Sequence, residues 1–459
     1  MATISHALSG IKSQLDRHVP TGLIEDACRH AGHRWRRRTL DPATTVHLFL
    51  LQLLARVALS GLRHVAGLRV SAQAVCRAKA RLPLAVLQRL VAAVCDGVCG
   101  GGDGASSSSS SSSSLWHGLR LKVVDGLSFL TQDTPALAAR YGKARNHRGV
   151  SAGYPVPKLL AAVDLATGMI QRVIALPWAR QERTCLGRLL GHMGVGDLML
   201  GDRGLTGYAQ LAMALARGVH VLMRLPKCMR VHGRGSGHHR RLRRLGRQDL
   251  LVRWTRPPTC RRPKWISRAR WLALPPHLVL RQVAFRVHRP GHRPAWVWVV
   301  TTLSVAELYP APDVAELYGK RWQIEVHFRD VRKTLGLTQL SARTVAGVRK
   351  EVLAFVLLYN LARRVMLEAA GRQRVAADRV SFVDALRWLL WAAPAVATTD
   401  AGTDASTDAT ADVWPPTLLV NARRRRPAEP RRLKRGRKRF PQLRAPRHTL
   451  RLPVAEVKL

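Results

Sequence analysis

The chain has 459 residues, 47% of them hydrophobic, with 76 Lys and Arg against 28 Asp and Glu for a formal charge of +48. It can bury a substantial core and is long enough for two or three domains of about 100–200 residues each. No apolar run reaches the ~18 residues of a membrane span; "TVHLFLLQLLARVALSGL" is interrupted by Arg56 and reads as a buried helix. The excess is mostly Arg and points to a polyanion, because each cation placed on a phosphate releases a condensed counterion. Arg also offers a planar fork to phosphate oxygens. Part of that excess is what a GC-rich coding bias produces.

The first residues carry no signal-peptide pattern. Seven cysteines are scattered, and Cys95 and Cys99 lack a second ligand pair at zinc spacing, so both are expected reduced and buried. These features predict an intracellular, cytoplasmic protein with no membrane partner.

Residues 1–100 are expected to be helical, a DNA-binding region or a plain bundle. "HLFLLQLLARVALSGLRHVAGL" and "PLAVLQRLVAAVCDGV" repeat apolar residues at three- and four-residue steps, and Ser71 is placed to cap a basic helix between them. Residues 101–115 are a Gly/Ser linker containing Ser106–Ser114. Residues 116–226 read as the first part of an α/β core. "LRLKVVDGLSFL" is a strand, "KLLAAVDLATGMIQRVIAL" is two strands about a turn at Ala166–Gly168, and "GDLMLGDRG" is another strand. A helix "TGYAQLAMALARG" and a strand "VHVLMRLP" follow.

Residues 227–300 read as a basic loop, "RVHGRGSGHHRRLRRLGRQ", and a β-rich insertion with strand-like "LLVRWT", "ARWLAL", "VLRQVAFRVHR" and "AWVWVVTTL". Residues 301–395 complete the core with a helix around Glu325 and further C-terminal helices. Residues 396–459 form a second linker and an Arg-rich tail.

Acidic residues are scarce, so their positions carry information. Asp125 and Asp202 end strands, and Glu325 lies within the basic stretch "LYGKRWQIEVHFRDVRKTLGL". Each Asp-Gly or Asp-Arg-Gly taken alone also suits a turn. Two strand-end carboxylates and one helical carboxylate together suit a hard divalent cation, which prefers oxygen ligands. At about 100° per residue, Tyr318, Arg321, Glu325 and Arg332 fall within about 60° of one another. Leu317, Ile324, Phe328, Val331 and Leu335 form a separate apolar stripe. Asp164 reads as a hairpin-turn acid, Asp133 and Asp197 as exposed loop acids, His238-His239 as a solvated loop pair, and Tyr208 as packing.

These residues resemble the insertion sequence 4 family of DDE transposases, whose signature is Tyr-x2-Arg-x3-Glu-x6-Lys. Here it reads Tyr318, Arg321, Glu325 and then Arg332 in place of Lys, with Lys333 next. "VVDGLSF" resembles the family's first Asp motif and "GDRGLTGY" its second; the resemblance covers roughly residues 20–440. It implies a ribonuclease-H-like mixed sheet with flanking helices, interrupted by the β-rich insertion. It implies Asp125, Asp202 and Glu325 as catalytic metal ligands for Mg²⁺, with Mn²⁺ as substitute and two ions in the site. It implies cleavage of double-stranded DNA at terminal inverted repeats, joining of 3′ hydroxyls to target DNA, and a homodimer that pairs two ends.

Tyr318, Arg321, Arg332 and Lys333 would contact DNA. Excision through hairpins would require an end base stacked on an aromatic, for which Trp298 or Trp296 is a candidate; alternating Trp in a strand also reads as packing. Two other readings stand beside this one: a transposase-derived DNA-binding protein that no longer cuts, and a ribonuclease-H-like nuclease without a joining step.

Overall fold

The structure is a computed structural model that describes residues 17–66, 69–99, 115–145, 151–232, 235–288 and 294–391. The serine tract and the 396–459 linker and tail lie outside the described residues.

Among the described residues twelve strands occur in chain order: β1 (Arg120–Ser128), β2 (Lys143–Arg145), β3 (Ser151–Pro155), β4 (Lys158–Asp164), β5 (Ile170–Leu176), β6 (Asp197–Gly201), β7 (His220–Arg224), β8 (Gly235–Ser236), β9 (His239–Gly246), β10 (Asp249–Thr255), β11 (His277–Val287) and β12 (Ala295–Thr301). Ten of them form one sheet in the order β5-β4-β1-β6-β7-β12-β11-β10-β9-β8. The antiparallel meander β1-β4-β5 continues on its other side with β6 and β7 parallel to β1. This is the ribonuclease-H-like mixed sheet expected above.

The central strands are apolar nearly throughout, as strands covered on both faces must be; β4 is buried from Leu159 to Asp164. Its hairpin to β5 closes on Asp164, whose Oδ1 accepts hydrogen bonds from the Thr167 amide and hydroxyl at 2.9 Å each. Asp164 is therefore a turn acid, also paired with Lys122.

The 227–300 segment lengthens the same sheet. Strands β12 to β8 add antiparallel beyond β7 and return the chain to the helix that carries Glu325. Four expectations are corrected here. The basic "loop" is largely strand β9, with Arg240, Arg241, Arg243 and Arg244 exposed. Only the two-residue β8 covers its outer side, and charge at such a margin blocks pairing with other chains. "ARWLAL" holds a short helix, Arg268–Leu272, because Ser267 caps the Arg270 amide and buries Trp271 inward. His239 lies in β9, edge-on to Trp254, while His238 stays in the turn before it, so only half of the histidine pair is loop. Asp197 is also buried rather than exposed, bound by Arg120 Nε at 2.8 Å and by the Gly194 amide.

One sheet face carries the Leu186–Leu189, Tyr208–Leu215 and Arg268–Leu272 helices. Tyr208 is packed there, its hydroxyl bonded to the Pro275 carbonyl. The other face is covered by the Glu325 segment, the 28-residue helix Val345–Arg372 and the N-terminal helices, all in one continuous core. Helix Leu84–Cys99 packs along Val345–Arg372. Ser71 caps helix Ala72–Arg81 as expected, and Lys350 Nζ bonds the Lys79 and Ala80 carbonyls at its far end. A cation there satisfies carbonyls that a helix end leaves open. The N-terminal helices are thus fused to the sheet layer rather than hung beside it.

Cys28, Cys95 and Cys185 are buried thiols outside any disulfide among the described residues; the Cys99 side chain lies outside the described residues. Among the described residues no helix is long and apolar enough to cross a membrane.

Candidate active site

Strand register brings the first two carboxylates together. In the parallel pair β1–β6, Val124 stands opposite Gly201, so Asp125 and Asp202 are the next residues on neighbouring strands. Side chains alternate faces along a strand. Val123 and Leu200 belong to the core under the Glu325 segment, which places Asp125 and Asp202 on that same side. Asp202 follows the carboxyl end of β6, where open α/β sheets place their ligands; Asp125 does not end its strand as expected but stands where β1 leaves its pairing with β6, before β1 runs on to Ser128.

The expected continuous helix over residues 317–337 is corrected. Helix Ala311–Lys320 breaks at Arg321-Trp322, resumes as Gln323–Arg329 and ends in a π turn, Asp330–Thr334. At the break the amides of Arg321, Trp322, Ile324 and Glu325 bond carbonyls three residues back. The tight and wide turns keep Leu317, Ile324, Phe328, Val331 and Leu335 buried. They also separate the residues expected on one narrow face: Tyr318 and Arg321 are buried, while Glu325 and Arg332 are exposed.

Tyr318 sits inside, its hydroxyl 3.5 Å from the Gly201 carbonyl and pushed up to about 12 by burial, so it offers no surface to DNA in this arrangement. Arg321 joins two of the acids. Its Nη1 donates to Asp125 Oδ2 at 3.1 Å and its Nη2 lies 3.9 Å from Glu325 Oε1. Asp125 Oδ1 accepts from the Gly126 amide at 2.8 Å. Burial and the Asp202 charge push the Asp125 carboxyl up, and the Gly126 amide and Arg321 oppose them only in part.

Asp125 and Glu325 line a cleft of about 640 Å³ with Arg329, Arg332, Lys333 and Lys158 on its walls. Trp298 is not among the lining residues. It lies on β12 beneath the Arg230 guanidinium and against His232, whereas Trp296 is half exposed.

The sequence reading missed Arg329, Lys158 and Glu182, which line the same cleft. Arg329 was readable as one more cation on the Glu325 segment. Glu182 follows β5 and is distant in sequence from each of the three acids, so no motif spacing marks it.

Among the described residues no three His, Cys, Asp or Glu side chains are gathered closely enough to grip a metal as they stand. The donor set nevertheless fits a hard cation. Asp202 Oδ1 is a buried carboxylate oxygen without a hydrogen-bond partner, and Asp125 is held by a guanidinium that a divalent ion would replace. An unpaired buried carboxylate oxygen is costly.

Residues 116–361 match the family described as Transposase DDE domain. The chain is 26% identical over 257 residues to the transposase InsG of insertion sequence element IS4 from Escherichia coli K12, covering 56% of this chain and 54% of InsG. It is 30% identical over 88 residues to the transposase InsZ of the same organism, 19% of this chain and 29% of InsZ. The chain thus spans about half of InsG and less than a third of InsZ. A piggyBac transposase in a synaptic complex with hairpin DNA aligns at a TM-score of 0.41 and 8% identity, over 82% of this chain and 78% of that one. The mixed sheet, with Asp125 and Asp202 next to each other on neighbouring strands, has the arrangement of a DDE-type fold. The chain belongs to the DDE transposase family, with the insertion sequence 4 type of signature.

Proposed function

We propose that the chain is a transposase that cuts double-stranded DNA at the terminal inverted repeats of an insertion sequence and joins the 3′ hydroxyls to target DNA. The observation that supports this reading is the Val124–Gly201 register, after which Asp125 and Asp202 follow on neighbouring strands, together with the cleft that Asp125 shares with Glu325. These three carboxylates hold Mg²⁺, or Mn²⁺ in its place. Two such ions, held by these carboxylates, would supply activation of the attacking oxygen and stabilisation of the leaving one. Arg329, Arg332, Lys333 and Lys158 clamp the phosphates that enter the cleft. Arg332 stands where the signature has Lys, which keeps the charge and gives phosphate a forked rather than a point contact. Arg321 holds Asp125 until the ion arrives. Tyr318 braces the strand end beside Asp202 from within the core. Trp298, set apart from the cleft, is proposed to stack an end base if excision passes through hairpins. Two ends must be joined, so the working unit is a homodimer on DNA, in the bacterial cytoplasm.

The test places the DNA ends that flank the gene around a plasmid marker and adds purified protein with Mg²⁺ or Mn²⁺. Excised and joined products from the wild type, lost in Glu325→Gln and Asp202→Asn while end binding persists, are the expected result. Binding without cutting by the wild type in both metals would replace this reading with a transposase-derived DNA-binding protein. Cutting without joined products would leave a nuclease.

A further inference from the structure

We propose that Glu182 is a fourth carboxylate of the divalent-cation site, holding an ion together with Asp125 and Asp202, and that Gly126 lacks a side chain in order to admit it. The proposal rests on the metal-dependent reading above and names a ligand that the three-acid signature does not contain.

The first observation is steric. A Cβ placed on Gly126 would lie 2.4 Å from Glu182 Oε1 and 2.5 Å from its carboxyl carbon. Real contacts are never that close, so the Glu182 carboxylate occupies the space where residue 126 would carry its side chain. Alternation puts that space on the opposite face of β1 from Asp125. Glu182 approaches β1 on that side of the strand and lines the same cleft as Asp125 and Glu325. The paired strand β6 ends at Gly201, opposite Val124, so nothing in β6 stands beside Gly126 to block the approach.

The second observation is electrostatic. The Glu182 carboxyl is pushed up by burial and by the charges of Asp125 and Asp202, and Lys158 opposes them only in part. A half-buried acid is thus held against two others. Asp202 Oδ1, one of its neighbours, is buried with no partner at all. An acid beside two other carboxylates, one of which carries an orphaned oxygen, is an arrangement that a cation would stabilise.

The third observation is that the position is built. The 3-10 turn Glu182–Cys185 packs on the turn that follows Asp202. Gln210, itself buried, donates to the Arg183 carbonyl at 3.1 Å, and Cys185 and Leu186 are anchored in the core. A glutamate placed only for solubility needs none of these ties.

The test measures Mn²⁺ uptake by the full-length protein without DNA, from the loss of the free-ion paramagnetic resonance signal. Glu182→Gln and Gly126→Ala are compared with the wild type and with Asp202→Asn. Melting in EDTA is followed in parallel. We expect Glu182→Gln to weaken Mn²⁺ binding about tenfold or more, the range seen when a metal site's supporting groups are removed. It should melt no lower than the wild type in EDTA, because it removes a repelled charge. Gly126→Ala should reproduce the binding loss by displacing the carboxylate that is still present. Unchanged affinity and stoichiometry in Glu182→Gln, with binding weakened in Asp202→Asn, would overturn the role of Glu182 and leave the metal reading intact. No Mn²⁺ uptake by the wild type would overturn both.

Discussion

Arg281 on β11 is fully buried and forms a two-pronged pair with Asp249 at the start of β10, its Nε 2.8 Å from Oδ1. Its remaining prong, Nη1, donates to the Tyr309 carbonyl at 2.6 Å. Tyr309 immediately precedes the cap of helix Ala311–Lys320, and its ring stacks on Trp116 at 5.7 Å between centroids. One buried guanidinium thus ties the inserted strands to the segment that carries Glu325. Asp249→Ala removes the one carboxylate that pairs with this cation among the described residues. Breaking a buried pair by deleting one partner costs about 3–5 kcal/mol, mostly through the uncompensated charge left behind. We expect that loss in urea unfolding at neutral pH. Replacing both partners, Arg281→Met with Asp249→Leu, should recover most of it, because similar apolar volume avoids the cost of desolvating charge. The double variant still lacks the anchor on Tyr309, so its DNA cleavage should remain below wild type at equal stability. A loss under about 1 kcal/mol for Asp249→Ala would refute the reasoning, since a cation buried to that degree cannot shed its partner so cheaply.

Asn360, fully buried on the long helix, accepts from the Ile170 amide and donates to the Ile170 carbonyl, both at 2.9 Å, closing the outer edge of β5. Asn360→Leu should cost about 1–3 kcal/mol for each backbone group orphaned, read as a lower denaturant midpoint. Gly168 has φ +70, and an added Cβ would stand 2.7 Å from Arg363 Nη2 and His327 Cε1; Gly168→Ala should lower the melting temperature and loosen the hairpin from the Glu325 segment, seen as faster amide exchange there. His18 is driven down to about 4 by burial and by Arg364 and Arg17, so the unfolded chain takes up the proton first. Stability contributed by its neutral form is present above about pH 6.5 and lost as the pH falls toward 4, and His18→Leu should flatten that part of the acid profile. Replacing Arg332 and Lys333 together by Ala should weaken DNA binding uniformly across sequences and reduce the salt dependence by about two phosphate contacts' worth, a slope change near 1.8 in a log–log plot.

Much of the fold was legible because its signals are local. Buried apolar runs before Asp-Gly and Asp-Arg-Gly marked β1 and β6, although β1 runs on past Asp125 to Ser128, and the five apolar positions of the Glu325 segment were read correctly because burial follows helical spacing even through a break. The motif residues were equally local: Asp125, Asp202, Glu325 and the arginine in the lysine position are plain in the chain. Where reading failed, the deciding force was not local. The arginines of β9 argue for a loop until β10 supplies their backbone partners, and Asp197 looks like a surface acid until Arg120 reaches it. A uniform helix equates Tyr318 with Arg332, whereas packing turns one inward and leaves the other at the cleft.

The sequence by itself determined which residues are available for the chemistry, since acids are few and their spacing is distinctive. Only the tertiary structure decided which of them meet. The parallel register sets Asp125 next to Asp202, and a missing side chain at Gly126 opens the place that Glu182 fills. Register and close approach depend on pairing between segments far apart in the chain, and no local pattern encodes the distance between them.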